Sequence, residues 1–344
     1  MGLDYRKAGV NREARANAKK AISIFKKPRG TIKTPYNDLL PLGDGKSYYL
    51  ETTDSVGTKV LLTQMAGRHD IAGWEAVACV VNDAIRCGAT PKSITNTIEI
   101  ADSSGREMKQ ILEGINKACM ESGCFVAGGE TADVRELVKG VSPNPYMVIA
   151  SCFGTVPNSK IIRGSGLTQG DVIIGMESSG LHANGISLAR KALFRQFDGA
   201  YAANESKGKK LLQQCISPTK LYVKPFLALA QEVEVKAAFN VTGDSYLKFD
   251  KLSEFNPGLG FDFNFFKPQP IFREIQRAGR VAWDEMFKTF NMGWGFAVVV
   301  PQEDENGALK SLKKHGVRSS VIGNVVRGHC ISIAFEDAVY RLKC

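Results

Sequence analysis

The chain has no C-x-x-C pair, only four histidines and no H-E-x-x-H, so the ligand sets that usually hold zinc are missing from its 344 residues. It also lacks any apolar run near the ~18 residues needed to cross a bilayer. Signals for export or lipidation are missing too. MGLDYRKAGVNREARANAKK is too charged for a signal peptide, and Arg6 stands where a myristoylation signal wants Ser or Thr. These absences predict a cytoplasmic protein with no membrane association, whose metal would be a hard ion bound through oxygen. The eight cysteines, Cys79, Cys87, Cys119, Cys124, Cys152, Cys215, Cys330 and Cys344, sit mostly in apolar segments such as AVACVVND. That predicts small reduced core residues rather than a metal or disulfide framework.

What is present is ordinary in bulk and uneven in detail. A length of 344 residues exceeds the usual single core, which predicts two domains. The formal charge of +10 is concentrated at one end, where residues 1–33 hold ten Lys or Arg against Asp4 and Glu13. Such an arm suits an anion. Nucleic acid is disfavoured, because no aromatic residues interleave with the charges as a stacking platform requires. Phosphorylated small molecules are the other candidates, and a solvated basic helix is the plain reading.

Ala14, Ala18, Ala21, Ile22 and Phe25 recur at helical spacing, which predicts an amphipathic basic helix ending at KKPRG. Residues 26–46, with three prolines and three glycines, read as a long loop. YYLETTD, SITNTIEI, CFVAGGE and PYMVIASCFGTVP read as strands, and WEAVACVVNDAIRCG and GREMKQILEGINKACMESG as helices. The turn-rich NSKIIRGSGLTQGD separates these from a second half that contains strands DVIIGMESSG, GWGFAVVVP, SSVIGNVV and HCISIAF and helices HANGISLARKALF, PTKLYVKPFLALAQEV and NGALKSLKKHG. The expected architecture is α+β, with two mixed α/β domains over 1–165 and 166–344.

GDGKS at 43–47 ends like a Walker A loop, but Leu40 occupies the place of its first glycine and a strand follows, so it reads as a turn. Asp54 after YYLETT, Asp83 in VVND and Glu130 after FVAGG each stand at the rim of an apolar element. Charged groups seldom sit there unpartnered, and three converging acids would suit Mg2+ bridging nucleotide phosphates. Taken singly, Asp83 is equally a polar point on its helix and Asp54 a turn residue or cap. Thr52, Thr53, Gly57, Thr58 and Lys59 add donors around Asp54. In SSGLHANGISLAR, His182 precedes a helix beside Asn184 and Gly185. A helix N-terminus can take an anion and a histidine there can move a proton, or simply cap.

The phrases DYRKAGV, TTDSVGTKVLL, RHDIAGWEAVACVVNDAIRCGATP, ESGCFVAGGETAD, SSGLHANGISLARK, SPTKLYVKP, EMFKTFNMGWGF and VIGNVVRG, in this order, resemble the phosphoribosylformylglycinamidine cyclo-ligase (aminoimidazole ribonucleotide synthetase) family over nearly the whole chain. The resemblance implies a two-domain fold, a homodimer whose N-terminal sheets join into a barrel, and ATP and Mg2+ in a cleft involving both domains. It implies a nucleotide site drawn from Thr53, Asp54, Gly57, Thr58, Lys59, Asn82, Asp83, Gly129 and Glu130, with Asp54, Asp83 and Glu130 on the metal. His182, Asn184 and Lys26 or Lys27, with Lys27 preferred, would act on formylglycinamidine ribonucleotide, which is cyclised with release of ADP and phosphate in purine biosynthesis. Two stretches depart from the family pattern: PRGTIKTPYNDLLPLGDG lacks close glycines, and in VTGDSYLKF Asp244 and Ser245 stand in for glycines. An aspartate there calls for a neighbouring cation or arginine. The rival readings are another ATP-dependent member of the superfold, a small-molecule kinase or dehydratase, and a basic nucleic-acid-binding protein that has kept only the fold.

Overall fold

A computed structural model describes residues 2–194 and 206–344. Two mixed sheets organise them. The first is built from β1 (Ile32–Lys33), β2 (Asp38–Pro41), β3 (Ser47–Ser55), β4 (Thr90–Ile100), β5 (Phe125–Asp133) and β6 (Tyr146–Pro157), in the order β1-β2-β3-β6-β4-β5. Only β4 and β5 run parallel. The strict alternation of β6 explains its placement: Tyr146, Val148, Ala150, Cys152 and Val156 are buried, while the intervening residues face the other way. Helices α3 (His69–Ile85) and α4 (Arg106–Ser122) supply the cover on the buried face. They approach closely because a Cβ at Gly73 would strike the Ile111 carbonyl, and one at Gly114 would strike the Asp70 carbonyl.

The second sheet comprises β7 (Val172–Glu177), β8 (Ala237–Asn240), β9 (Leu259–Phe263), β10 (Trp294–Val300), β11 (Ser319–Arg327), β12 (Ile331–Phe335) and β13 (Ala338–Lys343), in the order β13-β12-β9-β11-β7-β10-β8. All seven residues of β10 are buried, as expected of a strand that is apolar without alternation. Ala297 and Val299 join one core, with α5 (Ile186–Leu193) and the helix Pro270–Gly279. Phe296, Val298 and Val300 join the other, with the helices Val223–Glu232 and Glu305–Lys314 and with α3 itself.

The core therefore continues from one sheet to the other, and a polar clamp at its edge sets their register. Lys59 opens α2 (Lys59–Ala66), and its fully buried ammonium meets the equally buried Glu75 at 2.7 Å and donates to the Ser217 carbonyl at 2.8 Å. Glu75 also accepts from the Thr219 amide at 2.8 Å and the Thr219 hydroxyl at 2.6 Å. Trp74 donates to the Thr219 carbonyl, and Asn82 spans Lys220 and Tyr222, so the segment 217–222 is fastened along α3.

Several expectations need correction. The basic helix α1 covers Arg12–Lys20 and passes into a 3-10 turn at Ala21–Ile24, so Ile22 and Phe25 stay exposed instead of forming a buried stripe. The supposed loop 26–46 contains the antiparallel pair β1 and β2, too short to show a period. Residues 237–289, where no element is expected from the sequence, contain β8, β9 and the helices Pro270–Gly279 and Trp283–Thr289, and β13 follows HCISIAF, the last expected strand. Two cysteines are not reduced: Cys330 and Cys344 form a disulfide that ties the end of β13 to the turn before β12. The other six are free and buried.

Closing a stretch of 14 residues in this way contributes about 3 kcal/mol. Denatured, unreduced protein is expected to titrate six thiols and reduced protein eight, with a lower melting temperature after reduction. Eight thiols without reductant would contradict the bond.

Candidate active site

A cleft of about 350 Å³ opens where the two halves meet. Residues two apart on a strand share a face, so Asp54 points to the side of β3 that buries Leu50 and Thr52. At the end of the strand it looks into the cleft. The C-terminal part of α3 brings Asp83, whose carboxylate accepts from Asn240 Nδ2 at 2.7 Å and pairs with Arg86 at 2.9 Å. From the second half comes the start of α5, without a side-chain cap and with its first N–H groups unpaired within the helix. Thr58 and Ser187 hydroxyls lie 3.0 Å apart and join the halves.

The opposite rim is the turn 242–245. Asp244 and Ser245 take left-handed backbone angles, φ +65° and +40°, the conformation that glycine adopts freely. The turn is held by Ser245, whose amide donates to the Thr242 carbonyl and whose hydroxyl donates to the Phe290 carbonyl. The aspartate has the neighbouring arginine it calls for: Arg12 Nε lies 3.3 Å from Asp244, and its other nitrogens hold Glu285, Lys288 O and Thr289. This anchor brings the arm to the cleft, where Tyr5 and Arg15 join Lys248 and Lys251 in its wall.

Charges of both signs thus share one small space. Partial loss of hydration raises the Asp54 carboxyl above its usual range; the Ser55 amide opposes the rise, Asp83 adds to it, and Lys248 and Arg15 oppose it. Lys248, half-buried and donating to Asn240 O and to the Thr242 hydroxyl, is pulled down to about 8. Burial is the main cause; Asp83 and Asp244 resist it, while Arg86 and Lys251 add to it. At neutral pH this ammonium keeps its charge and remains a donor.

Of the expected residues, Asp54, Gly57, Thr58, Asp83 and Asn184 line this cleft. Others are placed elsewhere. Lys59 and Asn82 belong to the buried clamp, and Thr53 lies on the opposite face of β3, bonded to Ser151. Lys27 pairs with Asp38, and neither it nor Lys26 lines the cleft. His182 is 1% exposed, with φ +57°, beneath the loop rather than in the cleft wall. Its ring fits because a Cβ at Gly295 would collide with it. Nε2 accepts from the Ser179 amide at 3.2 Å, so the proton sits on Nδ1, which has no partner. Burial, then Lys59 and Lys220, depress its pKa to about 3, so it is neutral at physiological pH.

The three expected metal acids do not converge within one chain. Asp54, Ala150, Asn96 and Gly129 lie in one row across β3, β6, β4 and β5, three strand spacings or about 14 Å end to end. Glu130, one residue on, points to the other face. Among the described residues no group of three or more His, Cys, Asp or Glu could hold a metal ion. Asp54 and Asp83 alone still fit Mg2+, which binds through one or two carboxylates and takes its other ligands from phosphate and water. The sequence reading missed Tyr5, Arg15, Ser187, Thr242, Lys248 and Lys251. Arg15 carried a signal in the charge of the basic arm, and Thr242 and Lys248 in the stretch that departs from the family pattern.

Comparisons with known proteins agree over most of the chain. Residues 38–156 match the family model "AIR synthase related protein, N-terminal domain", and residues 168–335 match "AIR synthase related protein, C-terminal domain". The phosphoribosylformylglycinamidine cyclo-ligase of Methanocaldococcus jannaschii is 36% identical over 333 residues, covering 94% of this chain and 92% of that protein. That of Pyrococcus horikoshii is 36% identical over 336 residues, covering 94% and 96%. Among solved structures, the chain is similar in fold to T. maritima PurL complexed with ATP (TM-score 0.60, 16% identity, 94% of this chain and 47% of that one). It is also similar to AaThiL complexed with AMPPCP and TMP (TM-score 0.63, 15% identity, 99% and 98%).

The depressed Lys248 is open to a direct check. Neutral amines acylate and ammonium groups do not, so the Lys248 acylation rate, followed by mass spectrometry, is expected to reach half its plateau near pH 8. A profile rising near 10.4, as for an unperturbed lysine, would contradict the environment described.

Proposed function

Since the chain belongs to the AIR synthase-related family, we propose that it cyclises formylglycinamidine ribonucleotide to aminoimidazole ribonucleotide at the expense of ATP, in purine biosynthesis. The observation that carries the reading is the meeting of Asp54 and Asp83 from one half with the α5 N-terminus, Asn184 and Lys248 from the other, in a chain that follows its cyclo-ligase relatives nearly end to end. In the reaction, the formyl amide oxygen of the substrate takes the γ-phosphoryl group and ADP departs. That oxygen is then a leaving group; the substrate's own nitrogen attacks the same carbon, the imidazole ring closes and phosphate is released.

Mg2+, when bound by Asp54 and Asp83 with phosphate oxygens, supplies the positive charge that lets several phosphate groups sit together. The remaining work falls to the chain. Lys248 and Arg15 offset charge that develops on the transferring group, and the free N–H groups at the start of α5 hold an anion without needing a proton. Asn184 orients the amide. His182, neutral and enclosed, supports the Ala183–Gly185 loop from beneath and takes no proton at physiological pH.

The division into domains at 165/166 belongs to the same proposal, supported by two sheets whose strands do not mix across that point. So does a homodimer with joined N-terminal sheets. β5 ends its sheet and is exposed almost throughout, including Phe125 and Val126, so its open edge and the uncovered face await a partner. Gly129 and Glu130 sit on this exposed edge strand, on its two faces, rather than in the chain's own cleft.

Purified protein with ATP, Mg2+ and formylglycinamidine ribonucleotide is expected to give ADP and aminoimidazole ribonucleotide in equal amounts. Asp54→Asn should lower kcat/KM by about a hundredfold or more. No product, where the Methanocaldococcus jannaschii relative turns over, would reject the substrate and favour a kinase or dehydratase of the same fold. Wild-type rates for Asp54→Asn would remove that residue from the site.

A further inference from the structure

A second and larger cleft, of about 810 Å³, lies where β7 ends and β10 and β11 begin, and shares no lining residue with the first. Its volume is that of a small-molecule site. Its charge is one-sided. Lys267, Lys313 and Arg318 face it against a single carboxylate, Glu177, which is already paired with Arg318 at 2.8 Å and Lys220 at 3.2 Å. Neither the Lys267 nor the Lys313 ammonium has a partner among the described residues. Two unpaired cations beside an already neutralised acid form a receptor for an anion.

The lining beside the cations is largely apolar, with Phe265, Trp294, Leu309 and Val317. Phe265 is 43% exposed, with its ring 6.0 Å from that of Trp294 and tilted 38° to it. The indole is pinned by donating to the Phe265 carbonyl at 2.9 Å. The turn that carries Lys267 is pinned at Gln269, whose amide donates to the Ser178 carbonyl at 2.8 Å. An exposed phenylalanine alone needs no explanation. One fixed against a tryptophan, at the mouth of a cationic cleft, offers a stacking surface that is ordered before any ligand arrives.

We propose that this cleft is a second ligand site, separate from the catalytic one, for a nucleoside phosphate whose base lies on Phe265 and whose phosphates lie between Lys267 and Lys313. The ring surface accounts for a planar base and the unpaired ammonium groups for the phosphates; Arg318 is partly committed to Glu177 and serves as the movable third cation. The site goes beyond the cyclisation reaction, which makes no use of these residues.

The test is calorimetric titration of the full chain with ADP and Mg2+, comparing wild type with Lys267→Ala/Lys313→Ala and with Phe265→Ala. All three substituted side chains are exposed, so folding should be preserved, which circular dichroism checks. The expected result is a class of ADP sites that weakens about tenfold or more in the double variant while ATP-dependent turnover is retained, since two charge-assisted contacts are lost. Phe265→Ala should weaken ADP but leave the weaker binding of inorganic pyrophosphate unchanged. ADP binding identical in wild type and the double variant would overturn the site. Pyrophosphate binding as tightly as ADP would overturn the nucleoside assignment. Because the readout is binding lost on substitution at this cleft, it stands apart from whether the first cleft cyclises its substrate.

Discussion

A lysine and a glutamate, neither of them reached by solvent, fix the relation between the two halves. Charges this deeply buried are costly to desolvate, and the Lys59–Glu75 pair endures because the ammonium also donates to the Ser217 carbonyl and each carboxylate oxygen also accepts from Thr219. A purely apolar seam would tolerate sliding. A pair that must be matched atom for atom does not, and it fastens the segment 217–222 of one half along α3 of the other. Lys59 follows Asp54 by only five residues, and Asp83 stands on the helix that carries Glu75, so the same fixture positions both cleft acids.

What gathers around those acids is a balance of charge rather than a surplus. Asp54, Asp83 and Asp244 face Arg15, Lys248 and Lys251, and the pKa of Lys248 is lowered chiefly by burial and only partly restored by its acidic neighbours. Such a cleft suits a ligand that brings both anionic groups and a cation. The turn at 242–245 keeps a backbone shape natural to glycine with an aspartate in it, and Arg12 makes that possible by pairing with the carboxylate from the basic arm. The arm's charge concentration, the most conspicuous feature of the sequence, thus contributes one anchor and one cleft residue.

The elements that were legible from sequence are those with a long, clean period. PYMVIASCFGTVP alternates over twelve residues and is β6; the apolar run in GWGFAVVVP is the doubly buried β10. β1 and β2 span two and four residues, too few for a period to register. The site was half legible for a different reason. That Asp54 stands at a strand end can be read locally. That Glu130 points away from it depends on the register of four strands, which no single segment records. Lys59 looked like a phosphate ligand because its neighbours are hydroxyls and glycine, but its partner Glu75 lies sixteen residues on, one of many acids that could have been chosen. The Cys330–Cys344 bond was hidden likewise, since spacing alone does not pair two distant cysteines.

The most direct test of the central claim is a double-mutant cycle at the buried pair. Lys59→Met, Glu75→Leu and the combined variant would be unfolded in urea and compared with wild type. Each single change is predicted to remove about 3–5 kcal/mol by leaving the other charge buried and alone, and the combined variant to recover most of that loss. Single losses that merely add in the combined variant would contradict the pair as the fixture between the halves.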